Sequence, residues 1–313
     1  MPMIEHVFEG VARLTLPLPI GPQHVHCYLL EGDDGWTLVD AGLALPDTDE
    51  VFRAVAREVR VRRIVFTHFH PDHVGGGEQA QAATGAETVL QGALDYAQTV
   101  HVWGNPEWPS VIADWFLTHG VPPAVANELL EAGSAYAPFI RFARDPIPLR
   151  GGGDVDGWAV VETPGHADGH LCLVRDGIAI VGDHVLPRIT PAVGLYPDSR
   201  PDPLGDYIAS LELVAGLGAT VALPGHGDPL EDPAARCREI VAHHRRRLEE
   251  TAAALGREPK TGYDVSFPLF GDDLGPAGRR FAVAETLSHL ERLVREGAAR
   301  RHETAAGVSY TDS

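Results

Sequence analysis

Thr67-His68-Phe69-His70-Pro71-Asp72-His73 is the stretch of sequence that decides the fold. It places four side chains able to bind a metal within six residues, directly after an apolar segment (63–67) typical of a short buried strand. Imidazole and carboxylate groups are the ligands that zinc and similar divalent metals prefer. The three glycines at 75–77 allow a tight turn into the next helix. The stretch therefore predicts a metal-binding loop at the end of a strand.

Three further loops each carry one potential ligand after a predicted strand. They are Thr163-Pro164-Gly165-His166, Val181-Gly182-Asp183 and Leu223-Pro224-Gly225-His226. Each is a common turn by itself, but together with the first loop they predict seven ligands at strand ends of one domain. The candidate metal ligands are His68, His70, Asp72, His73, His166, Asp183 and His226.

Apolar runs alternate with helical patterns over most of the chain, which indicates a layered α/β domain ending near residue 235. The predicted strands are a hairpin within Val25–Gly42 and segments 63–67, 87–90, 158–163, 171–175, 178–181 and 220–223. The predicted helices are 48–60, 78–84 and 203–217.

Two regions interrupt or follow this pattern. Residues 92–145 are mostly helical in pattern, broken by prolines and rich in aromatic residues; they form either a helical insertion whose rings are core or a lid that lines a substrate pocket. From residue 234 the composition changes, and the pattern predicts long helices at 235–255 and 281–296 and a β-ribbon near 298–310. We therefore expect a catalytic domain at 1–235 and a small, mainly helical domain at 236–313.

The composition limits the classes of partner. The formal net charge is −19, from 25 basic and 44 acidic residues, which counts against a general nucleic-acid or membrane binder but permits a local basic pocket. Cys27, Cys172 and Cys237 form no CxxC pair, as expected of reduced thiols. Residues 1–10 show no secretory signal and the apolar runs are too short for a transmembrane helix, so we expect a soluble, cytoplasmic protein.

The motifs HFHPDH, TPGHADGH, VGD and LPGHG resemble, in order and spacing from about residue 4 to 235, the metal motifs of the metallo-β-lactamase superfamily. The resemblance implies an α/β protein with an αββα sandwich and two divalent ions at one edge. It implies that the first ion takes His68, His70 and His166, that the second takes Asp72, His73 and His226, and that Asp183 bridges them. Asp40, in VDAG, matches a position that orients the ligand loop.

The resemblance also implies a hydrolase that uses a hydroxide held between two metal ions, with zinc as the first choice of metal and iron or manganese as alternatives to it. Its catalytic residues would be Asp72, Asp183 and His184, although His184 is equally interpretable as a packed neighbour. His170 is expected to support the His166 loop by a hydrogen bond. Arg188 and Tyr196 are candidates for substrate contact.

Several substrates fit the sequence. Asp183 occupies a position where β-lactamases of this fold typically have cysteine, and His70 one where the diiron flavoprotein branch has glutamate. These residues favour a thioester or lactone, as in glyoxalase II-like enzymes. A phosphodiesterase or ribonuclease is the alternative hydrolase. The motifs are also compatible with an iron-dependent oxygenase and with a non-catalytic, metal-stabilised binding protein.

The C-terminal segment contains HHRRRLEE, FPLF and FAVAETLSHLERLVREG and resembles the winged-helix-like appendage of one branch of the superfamily. Because the chain is so acidic, a packing or homodimerisation role is favoured over nucleic-acid binding. His243 and His244 are interpreted as surface or packing residues and not as metal ligands. The expected partner is a small molecule with an ester-type bond, with no nucleic acid and no membrane.

Overall fold

The apolar strand segments form two sheets that face each other. The structure, a computed structural model, describes residues 4–19 and 21–313. One sheet has seven strands in sequence order: β1 (Glu5–Phe8), β2 (Val11–Pro17), β3 (His24–Gly32), β4 (Gly35–Val39), β5 (Val61–Phe66), β6 (Thr88–Gly92) and β7 (Ile147–Leu149). The other has the order β12-β11-β10-β9-β8: β8 (Asp154–Val155), β9 (Trp158–Glu162), β10 (Leu171–Arg175), β11 (Ile178–Gly182) and β12 (Val221–Pro224).

Helices cover the outer face of each sheet and form the rest of the chain. In the catalytic part they are α1 (Pro46–Glu58), α2 (Pro71–Val74), α3 (Gly77–Thr84), α4 (Ala93–Trp103), α5 (Trp108–Thr118), α6 (Pro123–Gly133) and α7 (Pro203–Ala215), with a 3₁₀ helix at Ser134–Phe139. The C-terminal part has α8 (Pro233–Ala254), α9 (Gly262–Phe270), α10 (Pro276–Arg295) and the hairpin β13 (Ala299–Thr304) and β14 (Gly307–Asp312).

Each sheet packs on both of its faces, because successive side chains along a strand point to opposite faces. On β3, Tyr28 and Leu30 enter the core between the sheets, where they meet Trp158. Leu29, between them, enters the outer core under α1 and α3. A third core lies under α7 and the first half of α8. These layers are helix, sheet, sheet and helix, and the αββα prediction is confirmed.

The insertion and the C-terminal part share a fourth core. Phe116 on α5 and Leu129 on α6 pack with Leu287 and Leu290 on α10 and with Tyr310 on β14. The predicted helices of 92–145 are therefore present, and many of their apolar side chains are core. The β-ribbon expected near 298–310 is the hairpin β13–β14.

Some elements differ from the sequence prediction. Strands β1 and β2 and helix α9, which holds Pro268, were not predicted. The α9 start is fixed by a reciprocal cap between Thr261 and Asp264. The predicted boundary at 235/236 falls at the start of α8, and the packing of Cys237 and Ile240 on α7 ties that helix to the catalytic part. The division into two domains stays a prediction.

The structure bears on two expectations drawn from the sequence, the state of the cysteines and the presence of a membrane-spanning helix. All three cysteines are buried and free. Over residues 4–19 and 21–313, no helix has the length and apolar character needed to cross a membrane.

Tyr28 joins the two sheets next to the last ligand loop. Its buried hydroxyl donates a 2.7 Å hydrogen bond to the carbonyl of Pro224, at the end of β12. We expect Tyr28→Phe to lower the free energy of unfolding by about 1–2 kcal/mol, since the Pro224 carbonyl loses its partner in a buried position. Urea unfolding measures this. Tyr263→Phe is the control, because no side-chain hydrogen bond of Tyr263 is found in the described residues; equal losses in both variants would contradict the role of this bond.

Candidate metal centre

The predicted ligands come together because the strand ends that carry them meet at one edge of the sandwich. In the first sheet, β4 and β5 are parallel, and Asp40 and Thr67 follow their carboxyl ends. In the second sheet, β9 and β11 are each antiparallel to β10 and so run the same way, while β12 is parallel to β11. The loops after β9, β11 and β12 carry His166, Asp183 and His226. All ligand loops therefore open on the same side.

The seven side chains form overlapping groups. In each group the potential ligand atoms all lie within 4.8 Å of one another. The groups are His68, His70 and His166; Asp72, His73 and His226; and His68, His73 and Asp183.

The carboxylate of Asp183 lies between the first two groups. Its oxygens are 3.8 Å from Nε2 of His166 on one side, and 3.5 Å and 3.3 Å from Nε2 of His73 and His226 on the other. Nε2 of His226 is also 3.3 Å from Asp72. This is the position that the bridging assignment requires, and the assignment itself stays a prediction.

Asp40 fixes the loop that carries four of the ligands. Its carboxylate accepts hydrogen bonds of 2.8 Å from the amide and the hydroxyl of Thr67 and from Nδ1 of His73. Because the Thr67 hydroxyl donates to Asp40, it can only accept from Nδ1 of His68, 3.0 Å away. The second nitrogens of both rings face the centre: Nε2 of His68 is 3.0 Å from Nδ1 of His70, and Nε2 of His73 is 3.5 Å from Oδ1 of Asp183. The role predicted for Asp40 matches these contacts.

The histidines of the other loops are oriented in the same manner. Nδ1 of His166 donates to the carbonyl of Ala192 at 2.8 Å, and Nδ1 of His226 donates to the carbonyl of His24 at 2.7 Å. Metal-binding histidines commonly donate their second N–H to a carbonyl or carboxylate, which fixes the tautomer and the ring orientation.

The free atoms at the centre fit a metal cation. Nε2 of His73, Nε2 of His166 and Oδ1 of Asp183 are buried without a hydrogen-bond partner in the described residues, an arrangement that is costly in the protein alone. Burial opposes protonation of His226, but the Asp183 carboxylate raises its pKa to about 10. Burial lowers the pKa of His70 to about 3. The His and Asp clusters thus constitute a divalent metal site.

Glycine is required where two ligand loops touch. A side chain at Gly225 would place its Cβ 2.5 Å from Oδ1 of Asp183 and 2.7 Å from the ring of His73. The amide of Gly225 donates to the carbonyl of Gly182 at 2.7 Å. The loop before His226 can approach the centre only because this position has no Cβ.

Four further predicted residues have different fates. His170 accepts or donates a 2.8 Å hydrogen bond with Thr163 and stacks on His68, so it supports both ligand loops as expected. His184 is fully buried between the rings of His170 and Tyr207, and its catalytic role stays a prediction. Arg188 is exposed and pairs with Asp228. Tyr196 stacks on Trp115, and its contact with substrate stays a prediction.

Several supporting residues were missed. Asp168 accepts from Gln98 at 2.8 Å, and Asp95 accepts from the amide of Gly169 at 3.2 Å, so α4 holds the loop after His166. Trp103 donates from its indole nitrogen to the carbonyl of Phe69, between two ligands, at 2.9 Å. Asp168 lies within TPGHADGH and could have been considered; Asp95 and Trp103 carry no signal at the sequence level.

Comparison with known proteins agrees with this geometry. The family model described as Metallo-beta-lactamase superfamily matches residues 20–226, and that described as Metallo-beta-lactamase-like, C-terminal domain matches residues 248–310. The chain belongs to the metallo-β-lactamase superfamily. It is a metal-dependent hydrolase of that superfamily.

The similar proteins span the whole chain. The probable metallo-hydrolase YqjP of Bacillus subtilis (strain 168) is 27% identical over 93% of this chain and 94% of its own length. The crystal structure of the metallo-beta-lactamase family protein TTHA1429 from Thermus thermophilus is 33% identical, covers 98% of this chain and 100% of that one, and superposes with a TM-score of 0.85. A beta-lactamase domain protein from Burkholderia ambifaria is 27% identical over 100% and 96% of the two chains, with a TM-score of 0.88.

Replacing Gly225 tests how closely the loop before His226 must approach Asp183 and His73. We expect Gly225→Ala to weaken zinc binding by about tenfold or more, because the new Cβ displaces Asp183 or His73. Zinc titration against a competing chelator measures the affinity. Gly256→Ala is the control, since its Cβ would meet no atom within 4 Å. An unchanged affinity in a folded Gly225→Ala protein would contradict the close approach.

Proposed function

We propose that this hydrolase holds two divalent ions, zinc in the first place, and cleaves a thioester or a lactone. The observation that carries the proposal is the position of the Asp183 carboxylate, within 3.8 Å of histidines from both ligand groups. Three imidazoles in one group and two imidazoles with a carboxylate in the other suit borderline metals. Iron and manganese accept similar ligands and are alternatives to zinc.

Two such ions, when bound, supply an activated water at neutral pH and a positive charge for the developing oxyanion. The chain's own residues supply the remainder. Asp72 and Asp183 are the carboxylates that can take the proton of an attacking water at the centre. Asp40 and the carbonyls of Ala192 and His24 keep the imidazoles oriented.

A cavity connected to the ligand loop through Trp103 bears on the substrate class. A cavity of about 240 Å³ lies among α4, α5, α6 and the 3₁₀ helix. Trp103, on its wall, hydrogen-bonds the backbone of the ligand loop at Phe69. Its lining is mainly apolar and includes Trp108 and Ile112, which suits the acyl part of an ester better than a phosphate backbone. The aromatic insertion then serves as both core and pocket wall.

The phosphodiesterase alternative is less well supported. That alternative rests on the C-terminal part, whose hairpin would have to contact a nucleic acid through its own basic side chains. Arg301 on that hairpin is already paired with Glu291 and Glu303. The net charge of −19 counts against a ligand that carries a phosphate backbone. A small molecule is therefore the proposed partner, and a homodimer remains a proposal.

Metal content and turnover test the proposed function together. We expect purified protein to carry about two zinc ions per chain and to hydrolyse thioesters or lactones, with activity lost on chelation and restored by zinc. Asp183→Ala should lower the zinc content and reduce kcat/KM by at least about a hundredfold, since both ligand groups lose the same carboxylate. Mass spectrometry of the metal and a substrate panel provide the measurements.

Asp272→Ala is the matched control, because Asp272 is exposed and forms no ion pair or hydrogen bond through its side chain in the described residues. Turnover of bis(p-nitrophenyl) phosphate without turnover of any thioester or lactone would favour the phosphodiesterase. Near-normal turnover by Asp183→Ala with two bound metals would refute the bridging role.

Arg280 predicts a preference within the proposed substrate class. In the described ranges it is the one half-buried arginine or lysine whose side chain forms neither an ion pair nor a hydrogen bond. It lines the cavity, and its guanidinium carbon is 5.5 Å from the rings of Tyr196 and Phe281. An acyl chain that ends in a carboxylate would satisfy this cation.

We therefore expect an acyl thioester with a terminal carboxylate to be preferred over its neutral analogue of equal length. Arg280→Gln should reduce the ratio of the two kcat/KM values about tenfold, the effect of one charge-assisted hydrogen bond. Arg257→Gln, at an exposed arginine, is the control. A ratio that does not change in Arg280→Gln would contradict this role while leaving the metal centre untouched.

A further inference from the structure

A second cluster of metal-ligand side chains lies away from the catalytic edge, where α8 and α10 pack together. His244 is on α8, and Glu285 and His289 are on α10. Glu285 and His289 are four residues apart and therefore share one face of their helix. The potential ligand atoms of the three residues all lie within 4.8 Å of one another.

The hydrogen bonds of this cluster determine which nitrogens are available. Nδ1 of His289 donates to the carbonyl of Glu285, one turn earlier, at 2.8 Å. Its Nε2 therefore has a free lone pair, which points at Nδ1 of His244 at 3.2 Å. Both imidazoles are fully buried, and burial lowers the pKa of His289 to about 4 and that of His244 to about 2. Both rings are neutral at pH 7, the state that binds a metal.

Two polar groups of the cluster lack a partner. Nε2 of His244 is buried without a hydrogen bond in the described residues. The side chain of Glu285 is half-buried and, over the same residues, forms no ion pair or hydrogen bond. Burial raises the pKa of Glu285 to about 7. A half-buried carboxylate without a partner is costly, and a cation held between it and the facing nitrogens of the two rings would stabilise it.

We propose that His244, Glu285 and His289 form a separate, structural site for a zinc-class divalent ion. Two imidazole nitrogens at about 2.0–2.1 Å from a tetrahedral zinc lie about 3.3–3.4 Å apart, close to the observed spacing. The backbone carbonyl of Glu285 fixes the tautomer of His289, as outer contacts of metal ligands do. Glu285, the half-buried member, is the least buried of the three ligands.

The position of the site gives it a structural role. The ion would join α8, which packs on the second sheet, to α10, which belongs to the core shared with the insertion. The ring of Tyr207 lies 5.6 Å from that of His244, and its hydroxyl donates to the carbonyl of His184, next to Asp183. Anchoring α8 and α10 therefore also supports the loop that carries Asp183.

In a protein without this ion, the contact between the rings is a hydrogen bond from Nδ1–H of His244 to Nε2 of His289. The experiment must distinguish the protein with the ion from the protein without it, and it does not depend on catalytic activity. Full-length protein is stripped with a chelator, reloaded with zinc, freed of excess zinc and analysed by mass spectrometry for zinc per chain. The variants are Glu285→Gln and His289→Gln, with His243→Gln, the neighbouring half-buried histidine, as the control.

The wild type and His243→Gln should each hold about one zinc more per chain than Glu285→Gln or His289→Gln. Crystals of the wild type grown with zinc should show an anomalous peak at the zinc edge between the rings of His244 and His289. This second measurement uses only the wild type, so it does not depend on whether the variants fold. Equal zinc content in all four proteins, or the absence of that peak while the catalytic edge shows one, would refute the proposal.

Discussion

The carboxylate of Asp40 is the constraint on which the catalytic edge depends. It accepts hydrogen bonds from the amide and hydroxyl of Thr67 and from His73, and it is almost fully buried. Through Thr67 it sets the tautomer of His68, and through His73 it sets a ligand of the second group. A backbone in the left-handed region (φ +62°) aims this carboxylate at the loop, strain that the surrounding contacts must hold in place.

The electrostatic consequence of this arrangement is a buried centre that is incomplete in the protein alone. Asp72 and Asp183 enter a space walled by imidazoles, and four of these imidazoles have their outer nitrogen already engaged by a carbonyl, a hydroxyl or Asp40. The inner nitrogens therefore cannot all be satisfied by rotating the rings. A cation at the centre satisfies both the carboxylates and the lone pairs, so the same contacts that fix the loops also favour a metal.

The sequence predicted those parts of the centre in which potential metal ligands stand unusually close together along the chain. HFHPDH identifies its own loop, and the single-ligand loops become specific once they are placed at strand ends of one sandwich. Asp95, Gln98 and Trp103 could not be found in this way, because they act from α4 across a distance that only the packed fold defines. For His184, adjacency to Asp183 in sequence suggested a catalytic role, but only the fold reveals that its ring is fully buried against Tyr207.

The C-terminal part is best understood as a component of the catalytic unit. Its helix α10 shares a core with α5 and α6, supplies Arg280 to the cavity beside the ligand loop, and lies against α8 on the back of the second sheet. The carbonyl of Ala284, on α10, also accepts a hydrogen bond from the amide of Leu195. Leu195 lies in the same loop as Ala192, whose carbonyl orients His166. Displacing α10 would thus disturb the pocket and a metal ligand together. The C-terminal part thus contributes to the wall of this cavity and to the support of the loop that orients His166.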